Sequence, residues 1–137
     1  MGRILAIDFG LARVGLAMTD LLKITAQPMD TLNISGDIDI LIDKIKELKE
    51  VSKVELVVIG YPKHMNGDIS ETAKKIDEVI LKIEELSLHV VKWDERLTTV
   101  AAQKLLISHD VSRKKRKQII DQMAAVQILQ GYLDSKK

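Results

Sequence analysis

Residues 3–9, RILAIDF, give a strand no side that can face water. Strand side chains alternate between two faces, and here apolar residues occupy both parities, Leu5, Ile7 and Phe9 on one and Ile4 and Ala6 on the other. A segment of this kind is stable only in the middle of a sheet whose two faces are both covered by helices. A chain of 137 residues can bury such a layered core, and the expectation is a single domain spanning residues 1–137.

The rest of the pattern agrees with a mixed sheet. Gly10 to Arg13 reads as a turn, and VGLAMT, residues 14–19, as a second strand returning antiparallel to the first. Residues 24–33 read as a third strand, weakened by Pro28. Ile38, Leu41, Ile42, Ile45 and Leu48 recur at helical spacing over 37–50, with Asp37 as the N-terminal cap. VELVVIG, 54–60, is a buried strand ending at Gly60. YPKHMNGD follows as a loop, with Pro62 and Asn66-Gly67 as turn signals. Ile69, Ala73, Ile76, Ile80 and Ile83 put a helix over 69–86, and 89–93 is a short strand. A helix over 98–108, a polar loop over 109–117 and a last, widely apolar helix reaching residue 135 complete the chain. The order β-β-β-α-β-α-β-α-α is an α/β fold: a hairpin meander plus parallel strands in one mixed sheet, flanked by helices.

Composition narrows the function classes. There is no cysteine, so disulfides and thiolate metal centres are excluded and a reducing, cytoplasmic setting is the expectation. No apolar run approaches the ~18 residues of a membrane span, and no signal-peptide pattern opens the chain. The formal net charge is only +1, but it is unevenly spread. Arg113, Lys114, Lys115, Arg116 and Lys117 form an unbroken cationic run, and without it 16 basic residues face 20 acidic ones. A solvated surface run and a site for phosphate backbones are both open readings of that stretch.

Asp8 interrupts the most apolar strand of the chain. In α/β sheets, chemistry gathers at the carboxyl ends of the parallel strands. Asp8 lies near one such end, Asp94 and Glu95 follow another, and Asp121 shares a face of the final helix with Ala125 and Ile128. Three carboxylates brought together would repel one another and resist ionisation. A divalent cation removes both costs, and hard carboxylate oxygens suit Mg²⁺ or Mn²⁺ rather than zinc. Two such ions about 4 Å apart can clamp a phosphodiester for hydrolysis. Each acid also has a plainer reading: Asp8 as a hydrogen-bonded structural acid, Glu95 as the partner of Arg96, Asp121 as a complement to the helix dipole. Gly10 and Gly15 flank Arg13 in a turn that can offer backbone N–H groups and a guanidinium to a phosphate. His64, His89 and His109 have no ligand spacing, and Trp93 reads as core.

Four segments, AIDFGLARVGLA, VVIGYPKHMNGD, WDERLTT and RKKRKQIIDQMAAVQILQGYLD, resemble successive blocks of the YqgF (RuvX) family, in family order and over nearly the whole chain. The resemblance implies an RNase H-like fold and a metal-dependent nuclease acting on phosphodiester bonds. Its function would be 5′-end maturation of precursor 16S rRNA, or, in an older description of the family, resolution of Holliday junctions in DNA. By motif, Asp8, Glu95 and Asp121 would be the three catalytic acids and metal ligands. Arg13 and Arg96 match basic motif positions, and Lys114, Lys115, Arg116 and Lys117 would hold the nucleic-acid backbone. The implied reaction is a two-metal, in-line hydrolysis leaving 5′-phosphate and 3′-hydroxyl ends. Tyr61 replaces a usual leucine and Asn66 a frequent aspartate, so the part played by loop 61–68 is open.

Two other classes compete. Asp8-Phe9-Gly10 also resembles the first phosphate loop of actin-like and sugar-kinase phosphotransferases, but those need two such domains around a nucleotide. A non-catalytic nucleic-acid or ribosome-assembly binding protein would use the basic run and leave the acids unexplained. The partner in the preferred reading is nucleic acid, precursor rRNA or structured DNA, with no membrane. The chain would act as a monomer or homodimer, since junction resolution needs two sites and RNA trimming does not.

Overall fold

A computed structural model describes residues 2–61, 67–94 and 113–136. Among them, strand β1 (Arg3–Asp8) sits at the centre of a mixed sheet. It pairs antiparallel with β2 (Arg13–Thr19), with Ala6 opposite Ala17 and Asp8 opposite Gly15. On its other side β1 runs parallel to β5 (Val54–Tyr61), which runs parallel to β6 (His89–Asp94). The third strand expected over 24–33 is instead two short pieces, β3 (Ala26–Pro28) and β4 (Leu32–Asn33), each pairing with its own stretch of β2. Pro28 ends the first piece because it has no N–H for the ladder.

Among the described residues, three helices cover the sheet. Helix α1 (Ile38–Val51) starts where expected: the Asp37 carboxylate accepts the N–H of Asp39 at 3.0 Å. Helix α2 (Gly67–Glu85) packs beside α1 on the same face of the sheet. Leu5, Ile7, Phe9, Val57 and Ile59 form the core there with Leu41, Ile45, Ile76 and Ile83. Helix α3 (Arg113–Ser135) covers the opposite face, where Ile4, Ala6, Ala17 and Val58 meet Ala125, Ile128, Leu129 and Leu133. Both parities of β1 are thus buried, as its composition requires. The helix expected over 98–108 lies outside the described residues. The polar loop expected over 109–117 is corrected at its end, because α3 begins at Arg113 and takes up the whole basic run. The reason is the apolar stripe behind it: once Ala125 to Leu133 dock on the sheet, helix propagates backward through lysine and arginine, which are good helix formers.

Two local devices shape the ends of the sheet. At the carboxyl end, the β1–β2 turn is held from outside. The N–H groups of Ile34 and Ser35 donate to the Ala12 carbonyl at 2.9 and 3.0 Å, and that of Gly36 to Leu11 at 2.6 Å. A Cβ on Gly10 would stand 2.6 Å from the Arg13 carbonyl oxygen, so only glycine allows this turn to close so tightly. At the amino end, the Asp20 carboxylate accepts the N–H groups of Ile24 at 2.8 Å and Thr25 at 3.1 Å. Those bonds, Thr25's first, hold the Asp20 carboxyl below the usual aspartate range. A folded value below the unfolded one means the carboxylate supports the turn above about pH 3.9 and loses that support as pH falls through its folded value. The amide resonances of Ile24 and Thr25 are therefore expected to titrate with a midpoint below that of an unstructured aspartate. A midpoint at or above about 3.9 would contradict this.

Candidate functional site

The site is built on the central strand. Asp8 is the last residue of β1 and is half-buried. Its parity is that of Ile4 and Ala6, so its side chain belongs to the face covered by α3. Gly15 of β2 lies directly opposite it. The β1–β5 register runs through Ile7 beside Ile59, and one residue further it sets Gly60 beside Asp8. Gly60 in turn pairs with Trp93. The row across the sheet is therefore Gly15, Asp8, Gly60, Trp93. The cross-strand neighbours of Asp8 in that row are glycines, both buried, which contribute no side chain of their own.

Arg13, at the start of β2, has the parity of Gly15 and Ala17 and so belongs to Asp8's face. Asp94 does not. Val91 and Trp93 pack with the α3 cluster, so Asp94 falls on the α1–α2 side with Val90. Glu95 and Arg96 themselves lie outside the described residues.

Asp121 belongs to α3. The C-terminal end of that helix, Tyr132 and Leu133, lines a cavity with Ile4 and Leu56, at the amino ends of β1 and β5. Going back along the helix, Ala125 and Ile128 join the cluster of Ala6 and Val58. Asp121 continues that stripe one turn, about 6 Å, beyond Ala125. The helix therefore runs from its C-terminus at the amino ends of the strands back toward the end that carries Asp8. Ala124, Ala125, Ala6 and Ala17 are all essentially inaccessible, and their small size sets how closely α3 can lie on the sheet. Trp93, expected as core, is half-buried at its edge: it packs against the α3 cluster, meets Tyr132 edge-on at 6.3 Å, and stands so close to Gly131 that a Cβ there would lie 2.9 Å from the indole.

Lys114 to Lys117 lie in the first turns of α3, which contain no acidic residue. Cations at the positive end of a helix dipole are disfavoured by about 0.3–1 kcal/mol each near the surface, a cost that a bound phosphate would reverse. On the far face of the sheet, Tyr61 donates to Asp77 at 3.2 Å and carries Lys92 over its ring at 4.7 Å. Burial, and next the Asp77 charge, raise the Tyr61 hydroxyl above its usual range, so it stays neutral and ties the end of β5 to α2. Among the described residues no three His, Cys, Asp or Glu side chains form a metal-sized group. His89 stands in β6, while His64 and His109 lie outside the described residues. No described helix is long and apolar enough to cross a membrane.

The comparison with known proteins decides the lineage. The RuvX family, described as "Holliday junction resolvase", matches residues 2–135. The chain belongs to the RuvX family. A relative from Bacillus cytotoxicus, named "Putative pre-16S rRNA nuclease", is 48% identical over 136 residues, covering 98% of this chain and 99% of that protein. A relative from Bacillus cereus with the same name is 50% identical over the same share. The fold of this RuvX-family chain is that of RuvC. Thermus thermophilus RuvC in complex with a Holliday junction substrate superposes with a TM-score of 0.58 at 11% identity, covering 97% of this chain and 96% of that one. A second Thermus RuvC structure gives 0.54 at 13% identity.

Proposed function

We propose that this RuvX-family chain is a nuclease that hydrolyses phosphodiester bonds in precursor 16S rRNA, maturing its 5′ end. The observation that carries the reading is Asp8: an acid at the carboxyl end of a doubly covered central strand, flanked by two glycines, in a chain about half identical to relatives named for that activity.

Asp8, Glu95 and Asp121 are the proposed catalytic acids. Their all-oxygen donor set fits Mg²⁺ or Mn²⁺, and a half-buried carboxylate in an otherwise apolar strand is favoured by a cation held against it. Bound there, such ions neutralise charge developing on the phosphate and lower the pKa of water. The chain's own residues do the rest. Gly15 and Gly60 flank Asp8 in its row of the sheet and add no side chain of their own to the site. Arg13, on the same face, holds a non-bridging oxygen and orients the phosphorus for in-line attack. Arg96 is assigned the same kind of role by its motif. Lys114, Lys115, Arg116 and Lys117 hold the backbone without reading sequence, and the phosphates relieve the unfavourable charge at the start of α3.

A Mg²⁺-dependent cleavage assay comparing precursor rRNA with a four-way DNA junction, using Glu95→Gln as the blank, tests the reading. Cleavage of the rRNA near the mature 5′ end is the expected result. Preferential cleavage of the junction would favour DNA resolution, the activity in the family's description. Binding without cleavage of either would leave only a binding protein. The basic run makes a separate prediction. Replacing Lys114, Lys115, Arg116 and Lys117 by glutamine should weaken RNA binding and flatten the slope of log affinity against log salt by about 0.7 per lost phosphate contact. An unchanged slope in filter-binding or fluorescence titrations would remove these residues from the interface.

A further inference from the structure

The carboxyl end of the sheet is also tied on the side away from α3. Tyr61, the last residue of β5, pairs with Asp94, the last residue of β6. Tyr61 shares its face with Val57 and Ile59 and packs on the α1–α2 core. Its hydroxyl stands 3.2 and 3.3 Å from the two oxygens of the Asp77 carboxylate on α2. Lys92, two residues before Asp94 and so on the same face of β6, puts its ammonium 4.7 Å from the centre of the Tyr61 ring and 3.9 Å from Asp77. Strands β5 and β6 and helix α2 are thus joined in a closed triangle of hydrogen bond, ion pair and cation–π contact. The triangle sits at the last described pair of the β5–β6 ladder.

The triangle adds little to global stability, because Asp77 and Lys92 are more than half exposed and such pairs are weak in water. Its effect is local. The end of a ladder opens at low cost unless side chains tie it. Asp94 is followed in sequence by Glu95, one of the three proposed catalytic acids. A carboxylate that shares a cation with others must be held to a fraction of an ångström to serve chemistry. Resting on that reading of the site, we propose that Tyr61 is a positioning residue for Glu95. Its hydroxyl, held by Asp77, fixes the Tyr61–Asp94 pair and with it the strand position that Glu95 directly follows. Lys92 keeps the ring in place. Tyr61 acts through Asp94 and not on the substrate.

Tyr61→Phe tests this, because it keeps the ring and its contact with Lys92 and removes only the hydroxyl. Expected are a kcat on precursor rRNA and a Mn²⁺ affinity without RNA each lower by about three- to tenfold, with KM and melting temperature unchanged. Amide exchange over residues 89–94, read by mass spectrometry on the full chain, should be faster. Asp77→Ala should act likewise, and the double variant should be no worse than Asp77→Ala, since both changes remove the same bond. Wild-type Mn²⁺ affinity and exchange in Tyr61→Phe would overturn the proposal. So would a loss that comes with a lower melting temperature or a raised KM, or single effects that multiply in the double variant. A wild type that binds Mn²⁺ but cleaves neither rRNA nor a DNA junction would sink the nuclease reading instead, and the Mn²⁺ affinity and exchange of Tyr61→Phe would still decide the positioning role. A wild type that binds no Mn²⁺ overturns both.

Discussion

Asp8→Asn is expected to abolish hydrolysis of precursor rRNA, lowering the rate by on the order of 10³-fold or more, while RNA binding and the melting temperature stay close to wild type. The substitution keeps the shape of the side chain and removes its negative charge. The isosteric change at a half-buried strand end is therefore expected to leave the fold intact. The activity loss is large because the carboxylate is the fixed charge around which the proposed site is assembled. RNA binding is expected to survive because the proposed backbone contacts lie in the basic run at the start of α3. An Asp8→Asn protein that cleaves at near the wild-type rate would return Asp8 to a structural role. One that fails to fold would mean the carboxylate holds the strand end together rather than serving chemistry.

The second large effect concerns packing. Ala125 is fully buried, sharing a cluster with Ala6, Ala17 and Val58. Ala125→Leu adds three carbons where the sheet leaves no space, and such overpacking costs about 1–3 kcal/mol. The strain is relieved most easily by lifting α3 from the sheet, since β1 is locked between β2 and β5. Asp121 sits one helical turn away and moves with the helix. A displacement of about 1 Å is enough to cost on the order of 10²-fold in rate. The expected outcome is a lower urea midpoint together with a kcat reduced by about ten- to a hundredfold, with KM little changed. Ala125→Ser, close in size, should spare kcat. A destabilised Ala125→Leu protein with wild-type kcat would show that the distance between α3 and the sheet does not set the site.

Most of the fold was legible because its signals are local. Apolar residues at both parities placed β1 in the centre, helical spacing located α1 and α2, and the Asp37 cap was readable from residue type alone. What was not legible depended on register. Gly60 reads in sequence only as the end of a strand, and Gly15 only as a flank of the turn around Arg13. Pairing sets both beside Asp8, and no periodicity of a single segment could reveal that. Strand parity puts Asp94 on the α1–α2 side once Val91 and Trp93 are known to pack with the α3 cluster. The start of α3 was misjudged because five consecutive cations look like a solvated loop, whereas the docked apolar stripe behind them extends the helix. The exposed residues of the β2–β3 turn passed unnoticed for a related reason. Ile24 falls in the strand expected over 24–33, whereas the turn held by Asp20 exposes it together with Leu21 and Leu22.

The central claim is that Asp8, Glu95 and Asp121 jointly hold a divalent cation. Its most direct test is a Mn²⁺ titration followed by electron paramagnetic resonance, comparing the wild type with Asp8→Asn, Glu95→Gln and Asp121→Asn in the absence of RNA. Saturable binding by the wild type that is lost or strongly weakened in all three variants is the predicted result. Equal binding by the wild type and all three variants, or none by any of them, would contradict it.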